Sequence, residues 1–124
     1  MARVLVADDN ADTRDALALT LRAAGHMVVG ASDGEEAVEL YRAAPPDVLI
    51  LDLLMPKRDG FETLRILKKE FPEVRVLVIS GAWRVGGRDA LGYARELGAA
   101  VALLKPAEPP VVLRAVEELL ALSA

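Results

Sequence analysis

Residues 48–56 read Val48-Leu49-Ile50-Leu51-Asp52-Leu53-Leu54-Met55-Pro56. The first four are branched or aliphatic at odd and even positions alike. Such a run suits a strand covered on both faces of a sheet. It stops abruptly on a carboxylate, and a Met-Pro pair follows. The start of the chain repeats the arrangement, with Val4-Leu5-Val6-Ala7 running into Asp8-Asp9-Asn10. Further strand-like runs lie at 27–31, 74–79 and 101–104. The run at 74–79 meets Ser80-Gly81, and the run at 101–104 meets Lys105-Pro106.

Helix-like segments separate these runs. Asn10 and Asp12 offer N-caps ahead of Leu17, Leu21 and Ala24, and Gly25 marks the stop. Asp33-Gly34-Glu35-Glu36 opens a second helix, with Ala37, Leu40 and Tyr41 on one face and Pro45-Pro46 at its end. Asp59-Gly60 opens a third, where Leu64, Leu67 and Phe71 recur at helical spacing. A fourth is expected over about 88–97, closing at Gly98. Pro109-Pro110 opens a fifth, with Leu113, Val116 and Leu120 as its buried stripe. Five β-α units at this pitch predict right-handed crossovers, a parallel five-stranded sheet and helices on both faces.

The bulk properties bound the rest. The chain has 124 residues, 53% apolar and 27% charged. That predicts one folded domain over 1–124, not a disordered chain. Aromatics make up only 4%, so the core must be aliphatic. There is no cysteine, which excludes disulfides, thiolate metal sites and cysteine nucleophiles. One histidine, His26, cannot build a multi-histidine metal centre. A net charge of −4 argues against direct nucleic-acid binding. The longest apolar run after the first strand, 99–104, falls far short of the ~18 residues of a membrane helix. The expectation is a cytoplasmic protein without membrane contact.

A parallel sheet gathers the strand ends at one rim, where ligands of such folds bind. Asp8, Asp9, Asp52, Ser80 and Lys105 all follow apolar runs at that rim. Each also has an ordinary reading: Asp8 or Asp9 as a helix cap, Asp52 as a loop residue, Ser80 as a turn residue, Lys105 as a solvated lysine. Five of them at one edge favour chemistry. Clustered carboxylates repel unless compensated, and oxygen-only ligands suit Mg²⁺ or Mn²⁺. Three aspartates, a dication and the Lys105 ammonium are formally neutral. Such a site can receive an anionic phosphoryl group while one carboxylate acts as nucleophile.

These motifs together resemble the receiver domain of two-component response regulators, of the single-domain chemotaxis type, over nearly the whole chain. The resemblance implies a flavodoxin-like (βα)5 three-layer sandwich with strand order 2-1-3-4-5. It implies that Asp52 accepts a phosphoryl group from a histidine kinase or phosphotransfer protein. Asp9 would bind Mg²⁺ directly, Asp8 mainly through water, and the Leu54 carbonyl would complete the protein ligands. Lys105 and Ser80 would each meet a phosphoryl oxygen, assisted by backbone N–H groups near Leu53, Leu54 and Gly81. The product would be a phosphorylation switch acting on a downstream protein, not a turnover enzyme.

Several positions depart from the family pattern. Ala102 stands where the family usually carries an aromatic, three residues before the lysine. The 80–105 segment is longer than usual and contains Trp83 and Gly86-Gly87. Trp83 reads as a loop cover or a partner anchor, and the output signal is expected to run through this loop. Leu54 and Ala82 cannot orient an attacking water, so slow loss of the phosphoryl group is expected. Arg84, Arg88 and Arg95 near the fourth helix, with Glu117 and Glu118 on the fifth, suggest a homodimer through helix 4, strand 5 and helix 5. Surface ion pairs are the plainer reading. Two other functions compete: a pseudo-receiver that binds partners without phosphorylation, and a Mg²⁺-dependent aspartyl phosphohydrolase. The second lacks an acid–base aspartate at position 54.

Overall fold

In the computed structural model, which describes residues 2–81, 84–85 and 87–122, every residue of β3 (Val48–Asp52) is buried. Its alternation serves two separate cores. Leu49 and Leu51 face one, with Leu5, Val76 and Val78, beneath helices α2 (Gly34–Ala43), α3 (Gly60–Glu70) and α4 (Ala90–Glu96). Val48 and Ile50 face the other, with Val4, Val6, Leu77 and Ile79, beneath α1 (Ala11–Ala23) and α5 (Pro109–Ala121). This is the three-layer sandwich, and it explains why the strand is apolar at every position.

Around β3 lie β1 (Arg3–Ala7), β2 (Met27–Ala31), β4 (Val76–Ser80) and β7 (Val101–Leu104). All pair in parallel, in the order β2-β1-β3-β4-β7. Counted by sheet strands alone, this is the expected 2-1-3-4-5. Two short strands, β5 (Arg84–Val85) and β6 (Arg88–Asp89), form a separate antiparallel hairpin between β4 and α4.

That hairpin is the main correction to the sequence reading. The fourth helix was expected from about residue 88, but Arg88 and Asp89 pair with Val85 and Arg84, so α4 starts at Ala90. The signal was available: a Gly-Gly pair between short runs is a common hairpin loop. Trp83, Ala82 and Gly86, singled out above, lie outside the described residues.

The α5 stripe also differs. Val112, Val116 and Leu119 are its buried residues, whereas Leu113 and Leu120 are only partly buried. The helix is apolar on neighbouring faces, so the angle at which it meets α1 and the sheet selects the stripe. The expected caps form. Asn10, Asp33 and Asp59 each accept a backbone N–H from the residue three ahead. Gly25, at φ 94°, closes α1, with the His26 N–H reaching back to the Leu21 carbonyl at 3.1 Å.

One close approach fixes the loop between β3 and α3. The Gly60 N–H donates to the Leu53 carbonyl at 2.8 Å. A Cβ at Gly60 would lie 2.4 Å from the Asp52 carbonyl oxygen and 2.5 Å from the Leu53 Cα. Both are backbone atoms that cannot swing away. Gly60→Ala is therefore expected to cost about 2–4 kcal/mol in urea unfolding. A loss below about 0.5 kcal/mol would mean that α3 can shift freely away from β3.

Candidate functional site

Strand register assembles the rim. Ala7 pairs with Leu51, so Asp8 and Asp52, the next residues, leave adjacent strands side by side. Asp52 pairs with Ile79 and Ser80 with Leu104, which brings Ser80 and Lys105 to the same end. One oxygen from each of Asp8, Asp9 and Asp52 lies within 4.8 Å of the others. Lys105 Nζ donates to Asp8 Oδ2 at 3.0 Å and to Asp52 Oδ2 at 3.3 Å.

The three carboxylates are not equivalent. Asp8 and Asp52 are buried, while Asp9 is exposed. Asp8 Oδ1 accepts the Asn10 N–H at 2.9 Å, and Asn10, not either aspartate, caps α1. Asp52 Oδ1 accepts the Leu54 N–H at 3.3 Å. The ordinary readings of Asp8 as a helix cap and Lys105 as a solvated side chain do not describe these contacts.

Burial pushes the Asp52 carboxyl above the usual carboxylate range. The Lys105 ammonium opposes this, and the neighbouring Asp8 charge adds to it. For Lys105, burial acts to lower the ammonium pKa, but the hydrogen bonds and charges of Asp8 and Asp52 outweigh it and raise the value. The site thus holds a costly negative charge on Asp52 beside a firmly protonated lysine.

Ser80 is fully buried at the end of β4, and the Lys105 N–H donates to its carbonyl at 2.8 Å. Gly81 is exposed, with the Lys105 Cδ 4.0 Å from where its Cβ would stand. Leu53 is buried under the rim, whereas Leu54 is 51% exposed and turned toward solvent. The acidic residues and Lys105 are thus brought into contact, and Ser80, Gly81, Leu53 and Leu54 frame them. The oxygens of Asp8, Asp9 and Asp52 are hard donors converging at metal-ligand spacing, which fits a divalent cation such as Mg²⁺.

Other contacts at the rim were not evident from the sequence. Arg14 Nη1 donates to the Asp8 carbonyl at 2.7 Å. Lys57, at φ 66°, reaches Asp33 at 3.6 Å across the loop between β3 and α3. Nothing in spacing alone says that either cation turns toward its partner. Of the arginines near α4, Arg88 is held by Glu96 at 2.7 Å and lies 4.3 Å over the Tyr93 ring. Arg95 donates to the Ala102 carbonyl at 3.3 Å.

Residues 4–117 match the family model of the response regulator receiver domain. The chain belongs to that family. The transcriptional regulatory protein PdtaR of Mycobacterium tuberculosis is 41% identical over 105 residues, covering 84% of this chain and 49% of PdtaR. The receiver domain of the Francisella response regulator 1452 superimposes with a TM-score of 0.91 at 26% identity, over 100% of both chains. A CheX-CheY-BeF3-Mg complex from Borrelia burgdorferi contains a chain matching with a TM-score of 0.85 at 29% identity, over 95% of this chain and 88% of that one. This chain spans about half or less of the length of the curated relatives it matches. Among the described residues, no helix is long and apolar enough to cross a membrane.

The raised Asp52 carboxyl carries a stability signature. A carboxyl whose folded value exceeds the unfolded one favours folding most below the unfolded value, near 3.8, and loses that contribution as pH rises through the folded value. Without divalent ions, Asp52→Asn is expected to melt above the parent at neutral pH. The gap should close as pH falls toward 4, because the parent then becomes neutral at Asp52 too. A lower melting temperature for Asp52→Asn at neutral pH would show that pairing with Lys105 outweighs burial.

Proposed function

We propose that this chain is a phosphorylation-dependent signalling switch of a two-component system. Asp52 is the acceptor, a histidine kinase or phosphotransfer protein is the donor, and a downstream protein reads the changed surface. The observation that carries this reading is the Lys105 ammonium bridging Asp8 and Asp52, with the Asp9 carboxylate beside them.

In the proposed step an Asp52 carboxylate oxygen attacks the phosphorus of a phosphohistidine. The P–N bond breaks, an acyl phosphate forms, and the imidazole leaves with the electron pair. Mg²⁺ held by Asp8, Asp9, Asp52 and the Leu54 carbonyl would neutralise the acids and polarise the phosphoryl oxygens. Lys105 is already protonated and aimed at Asp52, so it can exchange a carboxylate partner for a phosphoryl oxygen. Ser80 and the N–H groups near Leu53, Leu54 and Gly81 would take the others. Positioning and charge neutralisation suffice for a loose phosphoryl-transfer transition state.

A phosphohydrolase reading is weaker because the residue two past the acceptor is Leu54, an exposed apolar side chain with no proton to give. The pseudo-receiver reading would leave the paired Lys105 and the convergent acids without a use. The same Leu54 supports slow hydrolysis of the acyl phosphate, since it offers no group to orient water.

The output route we infer is the segment after β4. Ala102 is small and buried, so no aromatic on β7 can swing inward there. The β5–β6 hairpin follows Ser80-Gly81 and is tied to α4 and α3 instead. Arg88 rests on Tyr93, whose hydroxyl accepts from Arg65 at 2.8 Å and whose ring lies 5.2 Å from Phe61.

Acetyl phosphate supplies the test. The parent chain should be labelled in Mg²⁺ and unlabelled after chelation, and Asp52→Asn should not be labelled at all. Retained labelling of Asp52→Asn would remove Asp52 as acceptor. The label should persist for minutes or longer without a phosphatase, and loss within seconds would contradict the role given to Leu54. Beryllofluoride with Mg²⁺ should change Trp83 emission or its quenching. An unchanged signal would count against remodelling of the segment after β4.

A further inference from the structure

Arg14 touches the site through its backbone rather than through any acid. It lies on α1, half-buried, and its Nη1 donates to the carbonyl of the peptide joining Asp8 to Asp9. The Asp8 N–H donates to the Ala31 carbonyl on β2 at 3.0 Å, and Asp8 Oδ1 holds the Asn10 N–H. Both backbone polar groups of Asp8 are therefore tied, one to the neighbouring strand and one to the helix that follows.

To reach that carbonyl, the Arg14 stem crosses β2 at Gly30. A Cβ on Gly30 would lie 3.5 Å from Arg14 Cδ and 3.6 Å from Nε. That is ordinary contact for a methyl group, but a branched side chain would need the space the arginine occupies. Gly30 is exposed and not in the left-handed region, so neither burial nor backbone conformation calls for glycine. Glycine inside a strand weakens it, and close approach of another group is a usual reason to find it there.

We propose that Arg14 is a positioning residue for the acidic site: laid across Gly30, its guanidinium holds the Asp8-Asp9 peptide so that both carboxylates converge with Asp52 on a divalent cation. This rests on the Mg²⁺-dependent phosphoacceptor reading. Three like charges within 4.8 Å push one another apart, and a tethered peptide resists that splaying. Groups behind metal ligands that fix their orientation commonly govern affinity as strongly as some ligands do.

The sign of the effect separates this role from a bystander charge. A guanidinium near a cation site repels the cation, so removing a bystander arginine tightens Mg²⁺ binding. Removing a positioning arginine loosens it. Gly30→Val displaces the guanidinium without deleting its charge, so it isolates geometry from charge.

The experiment is calorimetric titration of Mg²⁺ into the parent chain, Arg14→Met, Arg14→Lys, Gly30→Ala and Gly30→Val, with the melting temperature of each. Arg14→Met should bind Mg²⁺ about tenfold more weakly. Arg14→Lys should recover part of the loss, and Gly30→Val should match Arg14→Met. Gly30→Ala should stay within about twofold of the parent, since a methyl group fits. Labelling of Arg14→Met by acetyl phosphate should be slow at limiting Mg²⁺ and restored at saturation, because Asp52 and Lys105 are untouched. Unchanged or tighter Mg²⁺ binding by Arg14→Met overturns the proposal. So does a labelling defect that saturating Mg²⁺ fails to cure together with a lowered melting temperature, which would mean a merely structural role. A parent chain that binds no Mg²⁺ at millimolar concentration sinks the phosphoacceptor reading itself.

Discussion

Two carboxylates from neighbouring strands, Asp8 and Asp52, share one ammonium, that of Lys105, at a rim where both acids are almost out of water. Like charges this close are held in one place by that ammonium and by the stiffness of the chain around them. Lys105 is 97 residues from Asp8, so the contact exists only when all the intervening units are in register. A slip of one residue in any of these strands would turn a charged side chain into a core. The two aliphatic layers make that slip costly, since Leu49, Leu51, Val76, Leu77 and Val78 are fully buried on alternate faces. The apolar sandwich and the charged rim are therefore one design: the first fixes the register that the second requires.

The rim is also asymmetric. Asp9 faces solvent, whereas Asp8 and Asp52 are enclosed and Lys105 is partly covered. The exposed Asp9 carboxylate is thus the accessible edge of the cluster, while Lys105 occupies the buried oxygens. Behind the acids, the backbone is secured by short-range devices: the Asn10 cap, the Asn10 N–H on Asp8, and the Gly60 approach to the Asp52 and Leu53 backbone. The acids and Lys105 lie at or just past strand ends, and the strands and caps limit how far that backbone can move.

On the far side of β4 the packing is built from small residues. Ala90, Ala94, Ala99 and Ala102 are all buried between α4 and the sheet, which lets the helix lie close. Tyr93, partly buried against this core, lies between Phe61 and Arg88. Tyr93 thus joins α3, α4 and the β5–β6 hairpin in one cluster.

The sequence by itself determined the alternation of strands and helices, the N-cap residues Asn10, Asp33 and Asp59 that open the first three helices, and the placement of Asp8, Asp9, Asp52, Ser80 and Lys105 at strand ends. Those follow from local periodicity and from the geometry common to parallel sheets, which residue types alone can signal. Tertiary structure alone decided what periodicity leaves free. On α5, where apolar residues occupy adjacent faces, docking selected Val112, Val116 and Leu119 over Leu113 and Leu120. Between β4 and α4, pairing of Arg84 and Val85 with Asp89 and Arg88 took residues that helical spacing would have accepted. Which acids are buried, and that Arg14 turns back over Gly30 to the Asp8 carbonyl, depend on the directions of side chains from separate elements. A one-dimensional pattern carries distances along the chain, and those contacts are set by distances across it.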